Sequence, residues 1–207
     1  MKDCGVLPLR HVIDYEPLLS ALPDGANAAQ FLRDELPFRW RDLYVSSVAH
    51  PTNLVRFQFR TFEYICDFYS ELEATGEVPY DQRVADRVVA VIGISARAEE
   101  KRDANRSRGW VGPTEEFLGT ERDKGHFMAH CIGGGLDVNV FSQERRLNRG
   151  WSPQGKIYRQ MENYCYQQPG TLCFSHPVYE DGSNVPRWLE FGLLKTDHTL
   201  WVELFDN

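Results

Sequence analysis

Apolar residues recur at steps of three and four from His11 to Leu22 and again from Asn27 to Leu36, with Pro23, Asp24 and Gly25 between the two runs. One side of an α-helix advances at that step, so the spacing predicts two short helices joined by a turn. After Thr52, a residue suited to cap a helix, Val55, Phe59, Phe62, Cys66, Tyr69 and Leu72 continue onto one face, and Gly76 and Pro79 supply a stop. The spacing predicts a longer helix there. Val55, Phe57 and Phe59 also alternate with Arg56, Gln58 and Arg60, so a short strand competes for the start of this segment; its length favours the helix. The aromatic stripe reads as core packing and is assigned no chemistry.

The pattern changes further along. Arg87 to Arg97 is dense in Val, Ile and Ala and reads as a buried strand. Leu172 to Tyr179, Trp188 to Leu194 and Leu200 to Leu204 are apolar runs separated by Asp181, Gly182, Ser183 and Asp197, the signature of sheet strands with turns between them. These elements predict an α+β fold, with residues 1–82 a mainly helical region packed on a core formed by residues 83–207. The boundary is least defined between Ala74 and Gln82.

A chain of 207 residues buries a core without needing disulfides. Five cysteines, odd in number and without CxxC spacing, argue against a secreted disulfide framework and against a zinc ribbon, and they fit a reducing compartment. The first residues lack the apolar run of a signal peptide, and no stretch of about 18 apolar residues occurs. The expectation is a cytoplasmic protein without a membrane partner, or one exported by a specialised system that needs no signal peptide. The net charge of -7 argues against nucleic acid as a partner until its distribution is considered. Between Lys101 and Gln160 stand 11 Lys or Arg against 7 Asp or Glu, so the positive charge is local.

That basic segment holds the candidate chemistry. Asp123, Lys124, Gly125 and His126 are followed by Asn139 and by Leu147, Asn148, Arg149 and Gly150. Cutting a phosphodiester needs a proton acceptor, charge neutralisation at phosphate and help for the departing oxygen. His126 can take a proton from water, because imidazole titrates near working pH. The Asn148 amide oxygen suits Mg²⁺, or Mn²⁺, which tolerates a single protein ligand beside waters and phosphate oxygens. Glu162 can hold a water; Arg108 and Lys124 can contact phosphate, and Arg149 is a further candidate. His126, His130 and Cys131 also suggest zinc, but Phe127 stands where HExxH requires glutamate. Gly133, Gly134 and Gly135 lack the Lys and Ser or Thr that close a P-loop, and they suit a tight bend.

In this order the residues resemble the DNA/RNA non-specific endonuclease family, whose site is a ββα-metal, or His-Me, finger. The family's DRGH appears as DKGH ending at His126, its LNxG block as LNRG containing Asn148, and its glutamate as Glu162. The resemblance spans roughly Val88 to Leu194 and implies an antiparallel sheet carrying the finger. It makes His126 the general base, Asn148 the metal ligand and Glu162 the residue that orients water. It also makes Arg108, ahead of Gly109 and Trp110, a phosphate contact. Asn139 and Gln143 agree with the pattern, and Asp123 and Asn139 fall to structural roles beside the site. Lys124 replaces an arginine, and the interval from Asn148 to Glu162 is longer than in the simplest members. Tyr158, Arg159 and Glu162 at helical spacing predict that the finger's third element is a helix.

The expected activity is metal-dependent endonucleolytic cleavage of DNA, RNA or both. The alternative is a catalytically silent nucleic-acid-binding module of the same fold. Nucleases of this resemblance include toxins and defence effectors, and a toxin implies an inhibitor protein as partner.

Overall fold

The computed structural model describes residues 13–98, 103, 111 and 121–207. Two helices open the described chain. Helix α1 (Tyr15–Ser20) is capped by Asp14, whose carboxylate accepts from the Glu16 amide, and α2 (Ala28–Ser47) is capped by Asn27, which accepts from the Gln30 amide. The predicted second helix ends at Leu36, yet α2 runs on through Pro37 to Ser47. Leu32, Leu36, Trp40 and Tyr44 step by four along one buried face, and that burial outweighs the disruption from proline.

The long helix predicted from Thr52 is instead a hairpin followed by a short helix: β1 (Leu54–Phe59), β2 (Phe62–Asp67) and α3 (Tyr69–Thr75). Arg60, at φ 55°, and Thr61 make a two-residue turn that brings Phe59 opposite Phe62. Across the hairpin Phe57 stacks on Tyr64 with ring centroids 5.5 Å apart. The competing strand pattern of Val55, Phe57 and Phe59 is therefore the one realised.

The remaining strands fall where the apolar runs predict them: β3 (Arg87–Ile94), β6 (Leu172–Val178), β7 (Trp188–Leu194) and β8 (Leu200–Asp206). With β1 and β2 they form an antiparallel sheet of order β1-β2-β3-β6-β7-β8 among the described residues. Two shorter strands, β4 (Arg122–His126) and β5 (Val140–Glu144), pair only with each other. Helices α4 (Arg145–Asn148) and α5 (Pro153–Gln167) follow them. The fold is α+β.

Alternation gives the large sheet two covered faces. Ile65, Val89, Ile92, Leu172 and Phe174 face the side packed by α1 and α2, burying Leu18, Leu36 and Trp40. Tyr64, Val91, Cys173, Phe191 and Phe205 face the other side, where Phe127, Phe141, Tyr158 and Met161 pack. The sheet is thus the floor on which β4, β5 and α5 are mounted. At its centre Gly192 lies under the Phe174 ring, where a Cβ would come within 2.0 Å of the ring. That ring is held between Tyr15 and Trp40, at 5.6 Å and 5.2 Å, and has no room to yield. Gly192→Ala should therefore cost about 1–3 kcal/mol through overpacking, read as a lower urea midpoint with an unchanged m-value.

Candidate active site

Strands β4 and β5 pair in register from Arg122 opposite Glu144 to His126 opposite Val140. Gly125 is required by that pairing, because a Cβ would come 2.1 Å from Gln143 Oε1, whose side chain lies over the glycine. Alternation places Lys124 and His126 on one side of β4, with Asp123 on the other. His126 closes the strand and is buried.

In the chain between the strands, residues 127–139, the Asn139 side chain makes three hydrogen bonds to backbone groups, and the Tyr64 hydroxyl accepts from the Gly135 amide at 3.2 Å. Asn139 is fully buried; its Oδ1 accepts from the Met128 amide at 2.9 Å, and its Nδ2 donates to the carbonyls of Met128 at 2.8 Å and Gly135 at 2.6 Å. Its own carbonyl accepts from the Phe127 amide at 3.0 Å. Three backbone groups just after His126 and the Gly135 carbonyl are fixed through this one residue, which satisfies polar groups that burial would otherwise penalise. Gly134 passes so close to Met128 that a Cβ would come 1.9 Å from its carbonyl oxygen.

Helix α4 begins at Glu144, whose carboxylate accepts from the Leu147 amide. Its polar side chains converge on Asp123. Arg145 Nε donates to Oδ1 at 3.0 Å, Asn148 Nδ2 to Oδ2 at 3.3 Å, and Arg149 donates through Nε to Oδ2 at 2.6 Å and through Nη2 to Oδ1 at 3.0 Å. Burial by itself would raise the Asp123 carboxyl, but the hydrogen bonds from Arg149, Asn148 and Arg145 prevail and hold it below the usual carboxylate range. With Nδ2 turned to the carboxylate, the Asn148 amide directs its carbonyl oxygen away from Asp123.

Ser152 caps α5 by accepting from the Gly155 amide at 2.9 Å, with Pro153 in the first turn. Gly155 lets α5 approach α4, since a Cβ there would come 2.5 Å from the Arg146 carbonyl oxygen. Tyr158 on α5 is buried edge-on against Phe191 and Phe205, and its hydroxyl donates to the His126 carbonyl at 3.3 Å. One turn later the half-buried Glu162 accepts no hydrogen bond from the described residues. Desolvation pushes its carboxyl up to about 7, against the opposing charge of Arg159.

The expected site residues are thus brought together in two groups. Asp123, Asn148 and Arg149 form one hydrogen-bonded cluster, while Tyr158 links the His126 backbone to the part of α5 that carries Glu162. Lys124 shares the His126 side of β4, and Arg108 lies outside the described residues. Arg149, expected to contact phosphate, spends two nitrogens on Asp123 and lays its guanidinium 4.9 Å from the Trp151 ring centroid. Sequence reasoning missed the parts played by Arg145 and Tyr158. The signal for the first was the i, i+4 spacing of Arg145 and Arg149 around the LNRG block. Among the described residues no group of three or more His, Cys, Asp or Glu is arranged to hold a metal.

No family model matches the chain, and neither does any curated protein. Among solved structures it is similar to NucA from Streptococcus agalactiae, a structure with magnesium bound. The TM-score is 0.42 at 15% identity, over 75% of this chain and 84% of that one. It is also similar to the Sda1 nuclease, a structure with zinc bound, with a TM-score of 0.38 at 12% identity over 80% of this chain and 81% of that one.

Asp123→Asn should lower stability by about 1–3 kcal/mol at neutral pH, the scale of hydrogen bonds to a charged group. The folded carboxyl titrates below its unfolded value of about 4, so this contribution is complete above that value and is lost as pH falls through the folded one. Urea midpoints of wild type and variant should differ at pH 7 and converge in acid.

Proposed function

We propose that the protein is a divalent-metal-dependent nuclease that hydrolyses phosphodiester bonds of DNA, RNA or both. In this reading β4, β5 and the helices after them act as a ββα-metal finger. The observation that carries the proposal is the clasp of Asn148. Its amide nitrogen is engaged by Asp123 and its oxygen is left as a hard, neutral ligand at the end of α4. The donor set fits Mg²⁺ or Mn²⁺ better than zinc, being oxygen rather than thiolate or imidazole. Glu162 supports the fit, since a partly buried carboxylate without a hydrogen-bond partner among the described residues is what a neighbouring cation or its waters would satisfy.

A cation held by Asn148 would neutralise charge developing on the phosphate and assist the departing oxygen. The other steps fall to the chain. His126 removes a proton from the attacking water; its position is fixed because its carbonyl is held by Tyr158 and the following backbone by Asn139. Lys124, on the same side of β4, meets a phosphate oxygen as a point charge, and Arg108 is assigned the same partner. Arg149 acts through Asp123 by keeping the carboxylate ionised and in place to orient Asn148. Glu162 orients water.

Purified protein incubated with plasmid DNA and with structured RNA should cleave at least one of them in Mg²⁺ or Mn²⁺ and neither in excess chelator. His126→Ala should reduce the rate by about 10²–10⁴-fold, the usual contribution of a general base, without changing stability by a comparable factor. Undiminished cleavage by that variant would remove His126 as the base. Salt-dependent binding with no cleavage in any divalent ion would replace the enzyme by a silent binding module.

A further inference from the structure

Asp206 and Asn207, at and just past the end of β8, reach from the large sheet to the elements that carry the candidate site. Asp206 turns to α5: its amide donates to Gln154 Oε1 at 3.2 Å, and its Oδ2 accepts from Gln154 Nε2 at 3.3 Å. Asn207 turns to β5. Its own amide donates to the Arg187 carbonyl at 3.0 Å, which carries the β7–β8 ladder past the pair of Trp188 and Asp206.

The half-buried Asn207 side chain makes three hydrogen bonds, all to backbone groups. Its Oδ1 accepts from the Glu144 amide at 2.9 Å, and its Nδ2 donates to the Ser142 carbonyl at 3.1 Å and the Pro186 carbonyl at 2.7 Å. A carboxamide offers one acceptor oxygen and two donor hydrogens, and this arrangement uses all of them; an ionised carboxylate has no donor to give. Two of the three bonds cross from the large sheet to the β4–β5 hairpin. The Ser142 carbonyl also accepts from Arg122 Nη2 at 2.8 Å, so β4 is fastened at the same point.

The consequence lies at Glu144, which ends β5 and caps α4 by accepting from the Leu147 amide. With its backbone amide held by Asn207 and its carboxylate engaged by the first turn, Glu144 sets where α4 begins and the direction in which it leaves β5. The next amide, that of Arg145, donates to the Glu121 carbonyl at 2.8 Å, so this corner is gripped between the start of β4 and the large sheet. Asn148 is the last residue of α4, a helix of four residues that is too short to keep a direction of its own. Asp123 aims the Asn148 side chain, whereas Asn207 acts on the backbone corner before it.

We propose that Asn207 is a positioning residue for the cation site: it docks the corner between β5 and α4 on the large sheet and so fixes the place from which Asn148 presents its amide oxygen. The inference rests on the reading of Asn148 as the metal ligand. In this role Asn207 meets neither substrate nor cation, and its effect passes through Glu144 and α4. The neighbouring pair of Asp206 and Gln154 fastens α5 instead, which makes it a control for loosening of the same end of the sheet.

Mn²⁺ titration of the full chain, read from the free-ion paramagnetic resonance signal, compares wild type with Asn148→Ala, Asn207→Ala, Asn207→Asp and the exposed substitution Gln154→Ala. Asn207→Ala and Asn207→Asp should each weaken Mn²⁺ about tenfold, the scale on which loss of a group that orients a metal ligand is felt. Gln154→Ala should stay within about twofold of wild type, as surface substitutions do. Asn207→Asp is nearly the same size as the residue it replaces and carries the test where the truncation does not fold; a role confined to stability would lower the urea midpoint and leave Mn²⁺ affinity unmoved. Wild-type Mn²⁺ affinity in a folded Asn207 variant, or an equal loss in Gln154→Ala, would overturn the positioning role and leave Asn148 as the ligand. Absence of a saturable site in wild type, or its survival in Asn148→Ala, would overturn the metal reading and this inference with it.

Discussion

A single carboxylate, Asp123, holds the candidate site together. It lies on the second residue of β4 and receives two guanidinium groups and one amide from the turn of helix that follows β5. Burial works against an ionised carboxylate, and the three donors outweigh that penalty only because they converge from one short helix. The consequence is geometric. Helix α4 is only four residues long and would not persist alone, so the position of Asn148 relative to β4 is set by this ionic knot and by the Glu144 cap.

The second constraint is the sheet beneath. Both of its faces are covered, one by α1 and α2 and the other by α5 and the residues after β4, so the small hairpin has a rigid floor. Tyr158 connects the two levels: its ring packs on Phe191 and Phe205 of the sheet while its hydroxyl reaches the His126 carbonyl. Asn139 does the same work for the segment after His126, replacing regular secondary structure with side-chain hydrogen bonds. The backbone at and after His126 is thereby fixed by Tyr158 and Asn139.

Much of this was legible in the sequence, for reasons that differ by element. Strands β3, β6 and β7 show as apolar runs bounded by turn residues, because strands buried on both faces carry that composition, and the half-buried edge strand β8 shows as a shorter apolar run after the Asp197 turn. The β1–β2 hairpin was legible only in part. Val55, Phe57 and Phe59 alternate in β1, but in β2 Ile65 interrupts the alternation of Glu63 and Asp67 with Phe62, Tyr64 and Cys66, and the apolar positions at steps of three and four across both strands mimic a helix. Similarly, α2 outran its predicted end because burial of Trp40 and Tyr44 is decided by the sheet it packs against. At the site, the order of DKGH, LNRG and Glu162 was visible as a motif. The partner of Arg149 was not, since Asp123 lies 26 residues away and only the folded chain brings them together.

The central claim is that the Asn148 carbonyl oxygen, aimed by Asp123, is the protein's ligand for a divalent cation. Titration of the full chain with Mn²⁺, followed by the loss of the free-ion paramagnetic resonance signal, tests this without reference to activity. The account predicts one saturable site in wild type, loss of that site in Asn148→Ala, and at least tenfold weaker binding in Asp123→Ala. Equal Mn²⁺ affinity in wild type and Asn148→Ala would contradict it.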